Sequence, residues 1–176
     1  MDPLLRDPVA DLVKTVQTYV PPTWQPKEQA IVDQEVYQIF MVPSGTPEYI
    51  EVSSHFDLNF RVLSIRRLQN IYMYGRYMLR NQQLANRNNG LSRETKGFVC
   101  INEEHIDQLG HFNVDYRRLM LPPEAFNLYL SPNEARRANT FPEQDSVIIM
   151  CRVTRLENNT YNDSELYPEY IIKYNV

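Results

Sequence analysis

The sequence predicts an α+β fold in which short helices decorate an antiparallel or mixed sheet. Residues 60–68 and 166–176 alternate their side chains as strands do, and residues 146–156 form a largely apolar run typical of a buried strand. Residues 71–86 instead repeat apolar side chains at helical spacing. With 176 residues, 43% of them hydrophobic, the chain is long enough for one domain with its own core.

The first predicted element is an amphipathic helix over residues 3–20. Its apolar face consists of Leu5, Val9, Leu12, Val13, Val16 and Val20. This face either packs on the chain's own domain or docks on a partner, and both alternatives stay open. The following Pro21-Pro22-Thr23-Trp24 predicts a rigid, extended junction. We therefore divide the chain into an N-terminal amphipathic helix, residues 1–20, and a domain, residues 21–176.

The predicted elements of the domain follow one another closely. Strands are expected at 33–43, 60–68, 97–101, 146–156 and 166–176, and helices at 46–59, 71–86, 102–110 and from Ser131 onward. Thr46 and Pro47 indicate the N-cap and first residue of the first of these helices. Asn102 is the expected N-cap of the third, which should end near Gly110.

Charge and composition limit the functional classes. The net charge of −4 argues against a protein that coats nucleic acid broadly, although a local basic patch stays open. No apolar run approaches the roughly 18 residues of a membrane span, and no signal peptide is read at the N-terminus. We therefore expect an intracellular protein, nuclear or cytoplasmic, that does not enter a membrane. Cys100 and Cys151 are expected to be buried free thiols, and the histidines and cysteines show no metal-ligand spacing.

Glycine is scarce, with 5 residues in the whole chain, whereas proteins average about 7%. Enzymes that bring backbone close to a phosphate or a dinucleotide usually use glycines at the point of contact. The chain also lacks a P-loop, a G-x-G-x-x-G fingerprint and a G-x-S-x-G elbow. The composition therefore argues against a dinucleotide-binding enzyme.

An ordered set of motifs resembles a known catalytic domain. In chain order the motifs are PPTW, EYIEVSSHF, RVLSIRRLQN with an aromatic helix, EEHIDQLGHFNVDYR, YLSPNEARRANTF, IIMCRV and LYPEYIIKY. Together they resemble the catalytic domain of the PARP family of ADP-ribosyltransferases, in particular its mono-ADP-ribosylating branch. The resemblance covers residues 20–176. It implies a PARP-like ADP-ribosyltransferase fold, with a mainly antiparallel split sheet and short flanking helices.

The resemblance also implies how the strand ending at Gln69 and Asn70 continues into the aromatic helix. In the family this is a core strand, and the helix packs its aromatic residues against the sheet. Side-chain amides such as those of Gln69 and Asn70 can bind backbone groups where a strand leaves the sheet. Tyr72, Tyr74 and Tyr77 are expected in the core or at its edge, with their hydroxyl groups as polar tips.

The NAD-binding motifs of the family are altered here. PARP enzymes hold NAD with a His and a Gly of an H-G-T motif, which align with Val99 and Cys100. Val99 offers no donor, and Cys100 carries a side chain where the cofactor needs bare backbone. Tyr129 matches the tyrosine that stacks on nicotinamide, and Phe141 falls near a second stacking aromatic. The third catalytic position corresponds to Glu157, which we expect to be a turn residue.

These changes predict a catalytically inactive PARP-like domain that binds no cofactor. The alternative is a divergent mono-ADP-ribosyltransferase that transfers ADP-ribose from NAD to protein. Only in that alternative would Tyr129 and Phe141 bind the cofactor.

An inactive domain of this kind would act as a protein-interaction scaffold. Analogy places such domains in RNA-regulating or silencing assemblies. A protein partner is favoured, and RNA stays open because arginines interleaved with tyrosines can stack on single-stranded bases. The arginines expected at the surface are Arg61, Arg66, Arg67, Arg76, Arg80, Arg87, Arg136 and Arg137.

Overall fold

The computed structural model describes residues 20–24, 36–87, 94–115, 119, 128–154 and 163–175. Within these ranges the strands are β1 (Gln38–Met41), β2 (Arg61–Gln69), β3 (Thr95–Asn102), β4 (Ser146–Val153) and β5 (Leu166–Asn175). They form one five-stranded sheet in the order β1-β2-β5-β4-β3, and all neighbouring strands are antiparallel. The predicted α+β class is therefore confirmed.

Short helices connect the described strands. The α-helices are α1 (Pro47–Ser53), α2 (Ile71–Arg87), α3 (Ile106–Phe112) and α4 (Pro132–Arg137), and 3-10 turns occupy Glu103–His105, Glu143–Asp145 and Asp163–Glu165. The predicted start of α1 is confirmed, because the Thr46 hydroxyl accepts a hydrogen bond from the Tyr49 N–H at 3.2 Å. Asn102 is also a cap, as predicted, but it caps the 3-10 turn before α3.

Several predicted elements differ from the structure, and the strands predicted at 33–43, 97–101 and 146–156 lie at Gln38–Met41, Thr95–Asn102 and Ser146–Val153. The helix expected over 46–59 ends at Ser53, because the Ser54 hydroxyl binds the Glu51 carbonyl at 2.6 Å and the chain turns. The helix after Asn102 continues beyond Gly110 to Phe112. The junction before Trp24 is a turn, since the Trp24 N–H donates to the Pro21 carbonyl at 2.9 Å. Residues 1–19, with nearly all of the predicted N-terminal helix, lie outside the described residues.

The sheet buries side chains on both of its faces. In β3, Phe98 and Cys100 enter one core cluster, whereas Val99 and Ile101 enter the other. Strand β4 alternates in the same way. Helices α1 and α4 pack on the first cluster and α3 packs on the second, so we call the two sides the α1 face and the α3 face. Burial on both faces explains why the central parts of these strands, residues 97–101 and 147–151, are apolar without alternation.

Strand β5 contains a proline although it lies in the centre of the sheet. Pro168 has no N–H group and cannot complete the hydrogen-bond ladder. The pairing with β4 shifts register at this point, which makes Glu169 the extra residue of a bulge. The buried Glu169 carboxylate accepts hydrogen bonds from Lys96 Nζ at 2.9 Å and Arg152 Nε at 2.8 Å. The Pro-Glu pair of YPEYIIKY therefore has a structural role in the sheet.

Asn70 joins strand β2 to helix α2. Its Oδ1 accepts from the Met73 N–H and its Nδ2 donates to the Gly110 carbonyl, both at 2.9 Å. Its own N–H donates to the Tyr167 hydroxyl at 3.3 Å, and that hydroxyl donates to the Leu68 carbonyl at 2.8 Å. Asn70 therefore binds backbone groups at the end of the strand, as predicted, and also caps the helix.

The tyrosines of α2 divide between the two sides of the helix. Tyr74 and Tyr77 pack in an aromatic cluster with Trp24 and Tyr167, and the Tyr74 ring centroid lies 4.9 Å from that of Trp24. Their predicted core positions are confirmed. The prediction for Tyr72 is wrong, because this side chain is 57% exposed. The buried Tyr74 and Tyr77 follow Tyr72 by two and five positions. These spacings place Tyr72 on the opposite side of the helix.

Candidate functional site

The two residues aligned with the family's His and Gly are both buried in β3, the strand at one edge of the described sheet. Val99 is buried in the cluster on the α3 face and has no polar side-chain atom. Cys100 is buried on the α1 face, with its Sγ 3.7 Å from the Tyr174 hydroxyl. Burial raises the pKa of the Cys100 thiol to about 11, so the thiol stays protonated near neutral pH. Both residues are components of the core.

Tyr129 lies against the outer edge of β3. Its N–H donates to the Phe98 carbonyl, and its own carbonyl accepts a return bond from the Phe98 N–H, both at 2.8 Å. The Tyr129 side chain is half-buried and packs against the cluster on the α1 face. Tyr129 is therefore attached to the sheet by its backbone and to the core by its ring.

Phe141 does not lie beside Tyr129. Its ring packs against the cluster on the α3 face, with its centroid 6.4 Å from that of His105. Two aromatic side chains can stack on one nicotinamide ring only if they face the same space. The structure places Tyr129 and Phe141 against opposite faces of the sheet, so it does not bring them together. Glu157 lies outside the described residues.

The described residues do not fit NAD at the aligned positions. An NAD amide needs polar partners at an open surface. Val99 has no polar side-chain atom, and the Cys100 side chain occupies the core next to Tyr174. The side chains at these two aligned positions therefore supply neither a polar partner nor open space for the amide.

Arg67 is buried, so the prediction of a surface position is wrong. It is 4% exposed, and its Nη1 donates to both oxygens of the Glu48 carboxylate at 2.6 Å. Its Nε donates to Gln69 Oε1 at 3.0 Å, and the Tyr170 hydroxyl donates to Glu48 at 2.8 Å. The first turn of α1 thus supplies a carboxylate to an arginine of β2. This network fastens α1 to the sheet.

Three other predicted interaction arginines are half-buried and already carry an ion pair. The pairs are Arg66–Glu103 (2.7 Å), Arg80–Glu165 (2.7 Å) and Arg136–Glu143 (2.8 Å). These guanidinium groups connect elements of the domain. The exposed members of the predicted set are Arg61, Arg76, Arg87 and Arg137.

Glu103 is held by two cations from the central strands. Its carboxylate accepts from Arg66 Nη2 and from Lys173 Nζ, both at 2.7 Å. Burial opposes ionisation of Glu103, but Lys173 and Arg66 outweigh it and lower the pKa of this carboxyl below its ordinary value of 4.5. A carboxyl with a lowered pKa in the folded state stabilises the fold above its unfolded pKa. That stability is lost as the pH falls through the folded value.

We expect Glu103→Gln to lower the free energy of unfolding at pH 7 by at most about 1 kcal/mol, because solvent screens a carboxylate exposed by more than a third. The difference from the wild type should shrink as the pH falls below about 4.5. Urea unfolding over a pH series measures it. Glu51→Gln, at an exposed position, is the control and should change little. A difference that stays constant down to about pH 3 would contradict the assignment.

On the exposed side of α2 the sequence interpretation named Arg76 and Arg87 but missed the apolar residues beside them. Tyr72 and Leu79 are exposed apolar residues seven positions apart, and the exposed Arg76 lies between them. A helical projection places these residues on the side opposite Tyr74 and Tyr77. The positions of the residues around the helix could therefore have predicted this exposed surface from the sequence.

Within the described ranges, no group of three or more His, Cys, Asp or Glu side chains could hold a metal ion. None of the described helices is both long and apolar enough to cross a bilayer. Cys100 and Cys151 are free and buried, as predicted.

The resemblance to the PARP family rests on the ordered motifs of the sequence. No protein-family model matches the chain, and no curated protein matches it.

Proposed function

We propose that the chain is a catalytically inactive PARP-like domain that acts as a protein-interaction scaffold. The observation that carries this proposal is the burial of Val99 and Cys100 at the positions of the family's NAD-binding His and Gly. An active site requires donors and open space placed against the reacting group. Core side chains occupy both positions here. The ordered motifs of the sequence support a PARP-like fold for the rest of the domain.

The placement of the aromatic residues also favours an inactive domain. A divergent transferase would use Tyr129 and Phe141 as one stacking site. Their rings pack against opposite faces of the sheet. The scaffold function therefore agrees better with the geometry than the transferase does.

A protein is the proposed partner, rather than RNA. Half of the predicted arginine surface is already paired with carboxylates of the same chain, and the net charge is −4. Nucleic-acid affinity depends on the number of phosphates that free cations neutralise. By analogy alone, the setting of such a scaffold would be an RNA-regulating or silencing assembly.

Calorimetric titration with NAD tests this function. We expect no saturable heat up to millimolar NAD or a non-hydrolysable analogue, because the aligned positions belong to the core. The variant Tyr129→Ala should give the same result as the wild type. Saturable binding that disappears in Tyr129→Ala would overturn the inactive-domain proposal and favour the transferase. Incorporation of labelled NAD into protein would then measure the transfer itself.

A further inference from the structure

Helix α2 presents one side to solvent that is both apolar and cationic. Tyr72 and Leu79 are 57% and 69% exposed, and Arg76, Gln83 and Arg87 are exposed as well. Their spacings along the chain are four, three, four and four residues. Residues at these spacings form a single row on a helix surface. We call the row formed by these five residues the α2 stripe.

The α2 stripe is basic, although the whole protein is acidic. Helix α2 contains Arg76, Arg80 and Arg87 but no Asp or Glu, whereas the net charge of the chain is −4. Arg80 is paired with Glu165. In the part of the chain that the structure describes, neither Arg76 nor Arg87 forms an ion pair. Both charges are therefore available to a partner.

The opposite side of α2 is firmly held. Tyr74 and Tyr77 pack in the aromatic cluster with Tyr167, and Asn70 caps the first turn. A surface fixed in this way loses little conformational freedom when a partner binds. The α2 stripe is therefore preorganised for docking.

We propose that the α2 stripe docks an acidic amphipathic helix of a partner protein. Tyr72 and Leu79 lie about 10 Å apart along the helix axis, which matches apolar residues at positions i and i+7 of a partner helix. Arg76 and Arg87 complement Asp and Glu side chains along the edges of that helix. This inference rests on the proposed scaffold function and names its docking surface and the chemistry of its partner.

RNA and a second copy of this chain fit the α2 stripe less well. Tyr72 is the one aromatic ring of the stripe, and Leu79 has none, so the stripe offers a single platform on which a base can stack. Arg76 and Arg87 lie about 16 Å apart on the helix and neutralise few phosphates. Two copies of the stripe packed against each other would place four arginines and no acidic residue of α2 in one interface, because a two-fold contact uses the same patch on both chains.

The test is a selection from a displayed library of helical peptides on the full chain. We expect the selected peptides to share apolar residues at i and i+7 flanked by Asp or Glu. A labelled peptide from the selection then measures the dissociation constant by fluorescence anisotropy. The double variant Arg76→Glu/Leu79→Glu should weaken binding at least tenfold. The matched control Arg61→Glu/Leu58→Glu makes the same changes at exposed residues outside α2 and should leave binding unchanged.

Charge reversal separates docking from loss of structure. The variant Arg76→Glu/Arg87→Glu should bind a version of the peptide in which Lys replaces each acidic residue, and the wild type should not. The variant Arg61→Glu/Arg137→Glu has the same net charge at exposed positions outside α2 and should not gain this binding, so the gain cannot come from net charge or loss of structure alone.

Outcomes of four kinds would overturn the proposal. The first kind is a failure of the peptide test, either because no acidic peptides are selected or because Arg76→Glu/Leu79→Glu and its control weaken binding equally. The second is binding of a labelled single-stranded RNA that Arg76→Glu/Leu79→Glu abolishes, which would assign the stripe to RNA. The third is dimerisation in sedimentation that the same variant abolishes, which would assign it to a second copy. The fourth is tighter peptide binding by Val13→Asp. This variant disrupts the apolar face predicted in residues 1–20, so tighter binding would show that these residues compete with the peptide for the stripe. Failure of the scaffold function itself is distinguishable, because it appears as NAD binding.

Discussion

Replacing Glu48 by glutamine is expected to lower the free energy of unfolding by about 3–5 kcal/mol. The Arg67 guanidinium is almost completely buried and loses the carboxylate that accepts two hydrogen bonds from it at 2.6 Å. Arginine cannot release its proton, so the positive charge stays inside the protein. Gln69 Oε1 and the oxygen of the new glutamine amide can accept hydrogen bonds from Arg67, but they carry no charge and therefore compensate its positive charge only in part. Glu48 also lies in the first turn of α1, where its negative charge interacts favourably with the helix dipole, so its removal costs a smaller additional amount of stability.

Urea unfolding at pH 7 measures this loss, and the same helix supplies the control. Glu51→Gln makes the same chemical change at an exposed position and should stay within about 0.5 kcal/mol of the wild type. The double variant Glu48→Leu/Arg67→Met should recover part of the lost stability, because an apolar pair replaces a broken ion pair. A loss below about 1 kcal/mol for Glu48→Gln would show that water reaches the guanidinium.

Much of the fold could be predicted because its signals are local. Strand β2, helix α2 and strand β5 each carry their own periodicity, and Asn70 marks the point where one period replaces another. The burial of Val99 and Cys100 also follows from an apolar strand. These features need no knowledge of distant residues.

The errors concern relations between distant segments. Alternation places Arg67 on one face of β2, but it does not reveal that Glu48, 19 residues earlier, lies against that face. The opposite placement of Tyr129 and Phe141 depends on the path of the chain around the edge of the sheet. Tyr72 is a different case, because helical phase predicts its exposure and the aromatic composition of α2 obscured it.

Replacing Asn70 by aspartate is expected to cost about 3 kcal/mol at pH 7 and much less near pH 4. One carboxylate oxygen can still accept from the Met73 N–H and cap α2. The other oxygen replaces the Nδ2 group that donates to the Gly110 carbonyl at 2.9 Å, so two oxygens face each other in a buried site. Burial and this contact both disfavour the charged form and raise the pKa of the new carboxyl in the folded state.

The sign of the pH dependence follows from that shift. Below the unfolded pKa of about 3.9 both states bind the proton, and the protonated carboxyl of the Asn70→Asp variant can still donate to the Gly110 carbonyl. As the pH rises above that value the unfolded state ionises first, so stability falls until the folded carboxyl also ionises. Each unit of pKa difference corresponds to about 1.4 kcal/mol, so a loss of about 3 kcal/mol requires a shift of about two units.

A second variant separates this effect from simple loss of a hydrogen bond. Asn70→Ser keeps a capping oxygen but loses the contact with Gly110, so we expect a loss of about 1–2 kcal/mol that does not change with pH. Urea unfolding of the wild type and both variants from about pH 4 to pH 8 makes the comparison. If Asn70→Asp is destabilised equally at both ends of this range, the buried contact with Gly110 does not control the junction. If only Asn70→Asp loses stability as the pH rises, the amide of Asn70 is required there because it both accepts and donates without carrying charge.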